Sequence, residues 1–78
     1  LMLFPNPTRD GFTVRGAWED QTPLQIFIYD DSGKLWHREK GNYREDYFIS
    51  TADLNSGTYY VTAVAPGNRY TEKLIILK

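Results

Sequence analysis

Cysteine is absent from this 78-residue chain, and histidine occurs once. Without thiols there is no disulfide framework and no thiolate zinc site. Secretion stays open, with one stabilising device removed. Long apolar runs are also missing. Leu1–Phe4 and Leu74–Leu77 are the longest, far short of the roughly 20 residues of a membrane-spanning helix. No secretory signal peptide is recognisable. The chain opens on Leu rather than Met, so we expect it to be the excised C-terminal piece of a longer protein, with any export signal upstream. Charge of one sign is lacking too: nine basic and ten acidic residues are interspersed, for a net charge of −1. No basic stripe is visible, and nucleic acid is not an expected partner. Helical periodicity is poor, because no segment of helix length keeps a 3.6-residue apolar repeat.

What is present is aromatic and β-branched. Two Trp, six Tyr and four Phe supply large buried area per residue. A domain of this size buries only about 60% of its unfolded surface, so its stability margin is narrow. Residues 1–78 read as one domain. Phe12 to Gly16 alternates, with Phe12 and Val14 on one face. Leu24 to Tyr29 alternates more clearly, with Leu24, Ile26 and Ile28 opposite Gln25, Phe27 and Tyr29. Asp30-Asp31-Ser32-Gly33 is a turn, and Lys34 to Arg38 returns as a hairpin partner, with Leu35 and His37 on one face and Trp36 on the other. Lys40 to Asp46 is polar and predicts a loop or irregular edge. Tyr47 to Ile49 is a short strand, and Ser50 to Gly57 a compact loop with Leu54 as its buried plug. Thr58 to Ala65 and Arg69 to Leu77 are strands joined by a turn at Ala65–Asn68. The lead-in Phe4-Pro5-Asn6-Pro7 is extended or turning, since each proline fixes its own φ and biases its predecessor. Six or seven short strands with regular turns predict an all-β fold, a small antiparallel β-sandwich.

Reactive chemistry has little to stand on. A Ser-His-Asp arrangement would need His37 with Ser32, Ser50 or Ser56, and no G-x-S-x-G elbow is present. We expect no enzyme, cofactor or metal. Asp30 and Asp31 could hold a cation weakly, but the D-x-[DN]-x-[DN]-G spacing is absent. A turn whose aspartates accept from nearby amides is the preferred reading. Trp18, Trp36, Tyr43, Tyr47 and Tyr60 could form a sugar-stacking platform, or simply cross-strand and core pairs; Tyr47 and Tyr60 are expected to be partly exposed. Leu54, Gly57 and Tyr59 have the spacing of a tyrosine corner, in which the phenol donates back to the loop backbone. Glu72, Lys73 and Lys78 either form a charged edge that resists sheet-to-sheet aggregation or a tag that a partner reads.

Four segments, "FPNPTRDGFTV", "IFIYDDSGKLW", "ADLNSGTYYVTAV" and "RYTEKLIILK", resemble in order and spacing the C-terminal sorting domain (type A) of the type IX, or Por, secretion system of Bacteroidetes-type bacteria. The resemblance covers nearly the whole chain. It implies an Ig-like β-sandwich of about seven strands that folds in the periplasm, addresses an N-terminally attached cargo to the outer-membrane translocon, and reaches the cell surface. There a sortase of cysteine-protease type usually removes the domain and joins the cargo to anionic lipopolysaccharide; some members keep it. Pro5, Asn6 and Pro7 match the family's lead-in, Gly33 and Lys34 its central turn, Gly57 and Tyr59 its corner, and Lys73 and Lys78 its closing basic positions. Pro5, Gly33, Gly57 and Tyr59 are expected to hold the fold; Lys73 and Lys78, with Glu72, are the recognition candidates. A competing reading is an Ig-like carbohydrate-binding or adhesion module of a surface protein. Exposed strand edges could also permit a weak or strand-swapped homodimer.

Overall fold

A computed structural model describes all 78 residues. Seven antiparallel strands form two sheets, with no helix. Strands β1 (Met2–Phe4), β2 (Gly11–Arg15) and β5 (Phe48–Ser50) make one sheet in the order β1-β2-β5. Strands β3 (Pro23–Asp30), β4 (Leu35–Asn42), β6 (Gly57–Ala65) and β7 (Asn68–Ile76) make the other, in the order β4-β3-β6-β7. This is a small antiparallel β-sandwich in which the fourth strand lies beside the third, rather than in the sheet of the first, second and fifth as in a constant-type Ig domain. The alternating segments supply its core. Phe12 and Val14 from β2, Leu24, Ile26 and Ile28 from β3, Val61 and Ala63 from β6, and Leu74 and Ile76 from β7 are all essentially inaccessible. One contiguous cluster results, as expected where two apolar sheet faces meet.

Three details depart from the sequence expectation. Leu1–Phe4, read only as an apolar run, supplies β1, whose Leu3 pairs with Val14 and is buried. The polar stretch from Lys40 is no loop at first: β4 runs on to Asn42, pairing Gln25 with Lys40 and Pro23 with Asn42. An edge strand with one solvated face needs few apolar residues. Gly41 lies where a Cβ would stand 2.5 Å from the Tyr47 hydroxyl, so its missing side chain lets Tyr47 cross this strand. Finally, Leu35 and His37 do not share a face. The register shifts there, leaving Leu35 opposite Tyr29 and His37 opposite Ile28. Trp36 is the extra residue of a bulge, which breaks the period of two.

The tyrosine corner forms at the start of β6. The Tyr59 hydroxyl donates to the Asn55 carbonyl at 2.8 Å, beside the buried Leu54. Tyr59→Phe keeps the ring and strands that carbonyl. We expect a loss of about 1 kcal/mol, read as a lower urea midpoint with unchanged slope; an unaltered midpoint would mean that water satisfies Asn55 equally well.

Candidate functional site

The lead-in and the last strand form one unit. Prolines on both sides of Asn6 leave this stretch short of backbone donors. The Asn6 side chain supplies what is missing. Its Nδ2 donates to the Lys73 carbonyl at 2.7 Å, and its Oδ1 accepts from the Ile75 amide at 2.9 Å. The next contacts are true backbone pairing: Thr8 N donates to Ile75 O, and Leu77 N donates to Thr8 O, both at 2.8 Å. Residues 6–8 therefore act as a short surrogate strand, parallel to β7 at Thr8–Ile76, over the outer edge of β7 from Lys73 onward. The Thr8 hydroxyl, buried, bonds with Gly11 and closes the turn into β2.

The central turn is organised by Asp30. Its Oδ1 accepts from Ser32 N at 2.9 Å, Ser32 Oγ at 2.6 Å and Lys34 N at 3.0 Å; its Oδ2 accepts from Trp36 Nε1 at 2.8 Å. Hydrogen bonds from the Ser32 hydroxyl and the Trp36 indole, then from the backbone, hold this carboxyl well below the usual carboxylate range. Gly33 takes φ +88°, a conformation glycine adopts without strain. Lys34 lays its ammonium 4.2 Å from the Trp36 ring centroid. With both oxygens engaged, Asp30 works as the hub of its own turn. Because its folded-state pKa is depressed, the stability it adds is present in full above the unfolded value, about pH 4, and is lost as pH falls below that. We expect Trp36 emission, recorded in a Trp18→Phe background, to hold near pH 4 and to shift red only as pH falls well below that, through the depressed folded-state value of Asp30. Asp30→Asn, which sets an amide donor against the indole N–H, should show the shifted spectrum already at pH 7. A spectrum blind to both changes would refute the hub.

The recognition candidates separate. Lys73 is exposed on the outer face of the larger sheet, opposite Tyr60. Glu72, its neighbour, is exposed on the other side of β7. Lys78 is tied down: its Nζ donates to Thr51 O at 2.8 Å and its amide to Ser56 Oγ at 2.9 Å. The aromatics named as a sugar platform are dispersed. Trp18 packs edge-on against Tyr43 at 5.1 Å, Trp36 belongs to the Asp30 turn, and Tyr60 lies on the outer face. Tyr47 donates to Glu39 Oε2 at 2.7 Å, and Glu39 Oε1 contacts His37 Nε2 at 2.7 Å. Burial, then the neighbouring Glu39, pushes the Tyr47 phenol above its ordinary range. The cleft beside His37, about 270 Å³, includes Ser50, but the Ser50 hydroxyl accepts from Ala52 N and the imidazole partner is Glu39.

A family model described as the secretion system C-terminal sorting domain matches residues 2–77. The chain belongs to that family. The sorting domain is also similar to part of the ulvan lyase NLR42 of Nonlabens ulvanivorans, with 29% identity over 75 residues. That match takes in 95% of this chain and 14% of the lyase, so the sorting domain spans only a small part of its relative's length. A sorting-domain family of the type IX system is a family of export signals rather than of enzymes, and its signal directs proteins to the cell surface or beyond. What the sequence missed in this region is the role of Asn6. No local pattern announces a side chain that pairs with backbone 67 and 69 residues away.

Proposed function

We propose that this domain, folded in the periplasm, is read by the outer-membrane translocon of the type IX system as the export address of a cargo attached before Met2. A cell-surface sortase then cleaves upstream of the Pro5-Asn6-Pro7 lead-in and joins the cargo to anionic lipopolysaccharide, with this domain as the leaving group. The observation that carries the reading is the family match across residues 2–77. The Asn6 seal supports it, because it welds the cargo-proximal segment to the last strand and makes one rigid unit for a receptor. Lys73 is the recognition residue best placed for that receptor, with Glu72 beside it, whereas Lys78 helps to anchor the loop.

The test is a periplasmic reporter fused to the chain in a bacterium carrying this system. Surface exposure of the fusion, with the bare reporter retained, is expected; retention of both would overturn the reading. Deleting Thr71–Lys78 is a poor probe, since it removes the core residues Leu74 and Ile76. Specific binding on a glycan array would instead favour the adhesion module.

A further inference from the structure

The far side of the four-stranded sheet is uncovered. Leu24, Ile26 and Ile28 turn into the core, so Phe27 and Tyr29 project outward, as alternation requires. They stack at 6.3 Å with 19° between planes. Strand register sets their neighbours. Phe27 lies opposite Arg38, and Tyr29 opposite Tyr60, which in turn lies opposite Lys73. Gln25 and Val64 separate Lys40 from Arg69 in the adjoining row. The result is an aromatic centre between two basic columns, Arg38 and Lys40 on β4, and Arg69 and Lys73 on β7. All four basic residues are exposed. Four of the nine basic residues thus share a face whose strand positions hold none of the ten acidic ones, in a chain of net charge −1.

Tyr at the centre of the patch and Arg beside it are residue types that dominate protein hot spots. Flanking columns of one charge demand the opposite charge across the contact and speed encounter with it. A lipid surface fits less well, because binding there needs an apolar wedge. Phe27 and Tyr29 are half-buried and Leu35 and Tyr60 beside Tyr29 are only 42% and 39% exposed, whereas the more exposed Met2 and Phe48, at 57% and 59%, belong to the other sheet. Three strand spacings make the patch roughly 14 Å wide, a footprint suited to a transient contact.

We propose that this basic, aromatic face docks on an acidic protein surface of the export machinery. The proposal rests on the sorting reading and adds the chemistry of the partner. It is tested with reporter fusions in a bacterium carrying the type IX system. The face variant is Arg38→Glu with Lys73→Glu. The control, Arg9→Glu with Arg44→Glu, makes the same change in charge outside this face. We expect surface reporter to fall at least about tenfold for the face variant and to stay near wild type for the control, with both purified fusions keeping their unfolding midpoints. Should the face variant lose its fold, Arg38→Gln with Lys73→Gln removes the charges without reversing them and should lower export by a smaller factor. Equal export of face and control variants, or no loss with the glutamine pair, overturns the docking face and leaves the sorting reading standing. Retention of the wild-type fusion overturns both. Sedimentation of the purified wild-type fusion with phosphatidylglycerol vesicles at physiological salt, abolished in the face variant, would replace the protein partner with a lipid one.

Discussion

Phe12→Ala is expected to cost about 3–5 kcal/mol, the largest loss from a single change in this domain. Phe12 is fully inaccessible and sits on the central strand of the smaller sheet, opposite Ile49. That sheet contributes only a few core side chains, because β1 and β5 have three residues each. Phe12 therefore supplies much of what the smaller sheet lays against the larger one. Truncation leaves a cavity that such short strands cannot close without losing their own pairing. Small domains start from a stability of roughly 5–15 kcal/mol, and this one belongs near the lower end. We expect the variant's urea transition to begin near zero denaturant, whereas Phe12→Leu, which leaves a smaller cavity, should cost clearly less. An Ala variant within about 1 kcal/mol of wild type would mean that the two sheets are held together elsewhere. The consequence for function follows if the translocon reads a folded surface. Export of a Phe12→Ala fusion should then drop with its folded fraction and recover at lower temperature.

The long strands were legible because both of their faces were written in the sequence. In β3, Leu24, Ile26 and Ile28 alternate with residues of another character, and a strand with one buried face has a single workable register. The corner was legible for a different reason: Leu54, Gly57 and Tyr59 are close in the chain, so the bond from Tyr59 to Asn55 is a local event. What escaped was non-local or masked. Leu1–Phe4 has no alternation to mark it, and it becomes a strand only because β2 offers an edge. Lys40–Asn42 is too polar to announce pairing, and its pairing partners come from β3. The basic face was invisible because Arg38 and Lys73 lie far apart in sequence. Only the order β4-β3-β6-β7 brings them onto one surface, which is why a chain with evenly mixed charges carries a patch of one sign.

Asn6→Ala should destabilise the domain by about 1–3 kcal/mol, since two hydrogen bonds are lost, each with a net contribution of about 0.5–1.5 kcal/mol. Both bonds end on the outer edge of β7, at Lys73 O and Ile75 N. Alanine would return that edge to solvent and leave Thr8 alone to hold the lead-in against the strand. The Ile75 amide should then exchange with solvent faster by a larger factor than core amides of β6. Asn6→Asp makes the sharper test. Its carboxylate can still accept from Ile75 N, but the second oxygen meets the Lys73 carbonyl, so at neutral pH it should be no better than alanine. Protonation restores a donor toward that carbonyl. The folded-state pKa of the new carboxyl is therefore raised, and the deficit should shrink as pH falls through it, opposite in sign to the acid loss at Asp30. Unchanged stability in Asn6→Ala with Ile75 still protected would show that backbone pairing at Thr8 suffices and that the asparagine does nothing for the fold. The consequence reaches the cargo: the chain arrives through β1, passes the prolines and is fastened to the terminal strand, so a pull on the cargo side is resisted first by the β1–β2 pairing and then by the Asn6 bonds to β7. Export of the Asn6→Ala fusion should then fall only as far as its stability dictates, because Arg38, Lys40, Arg69 and Lys73 remain in place.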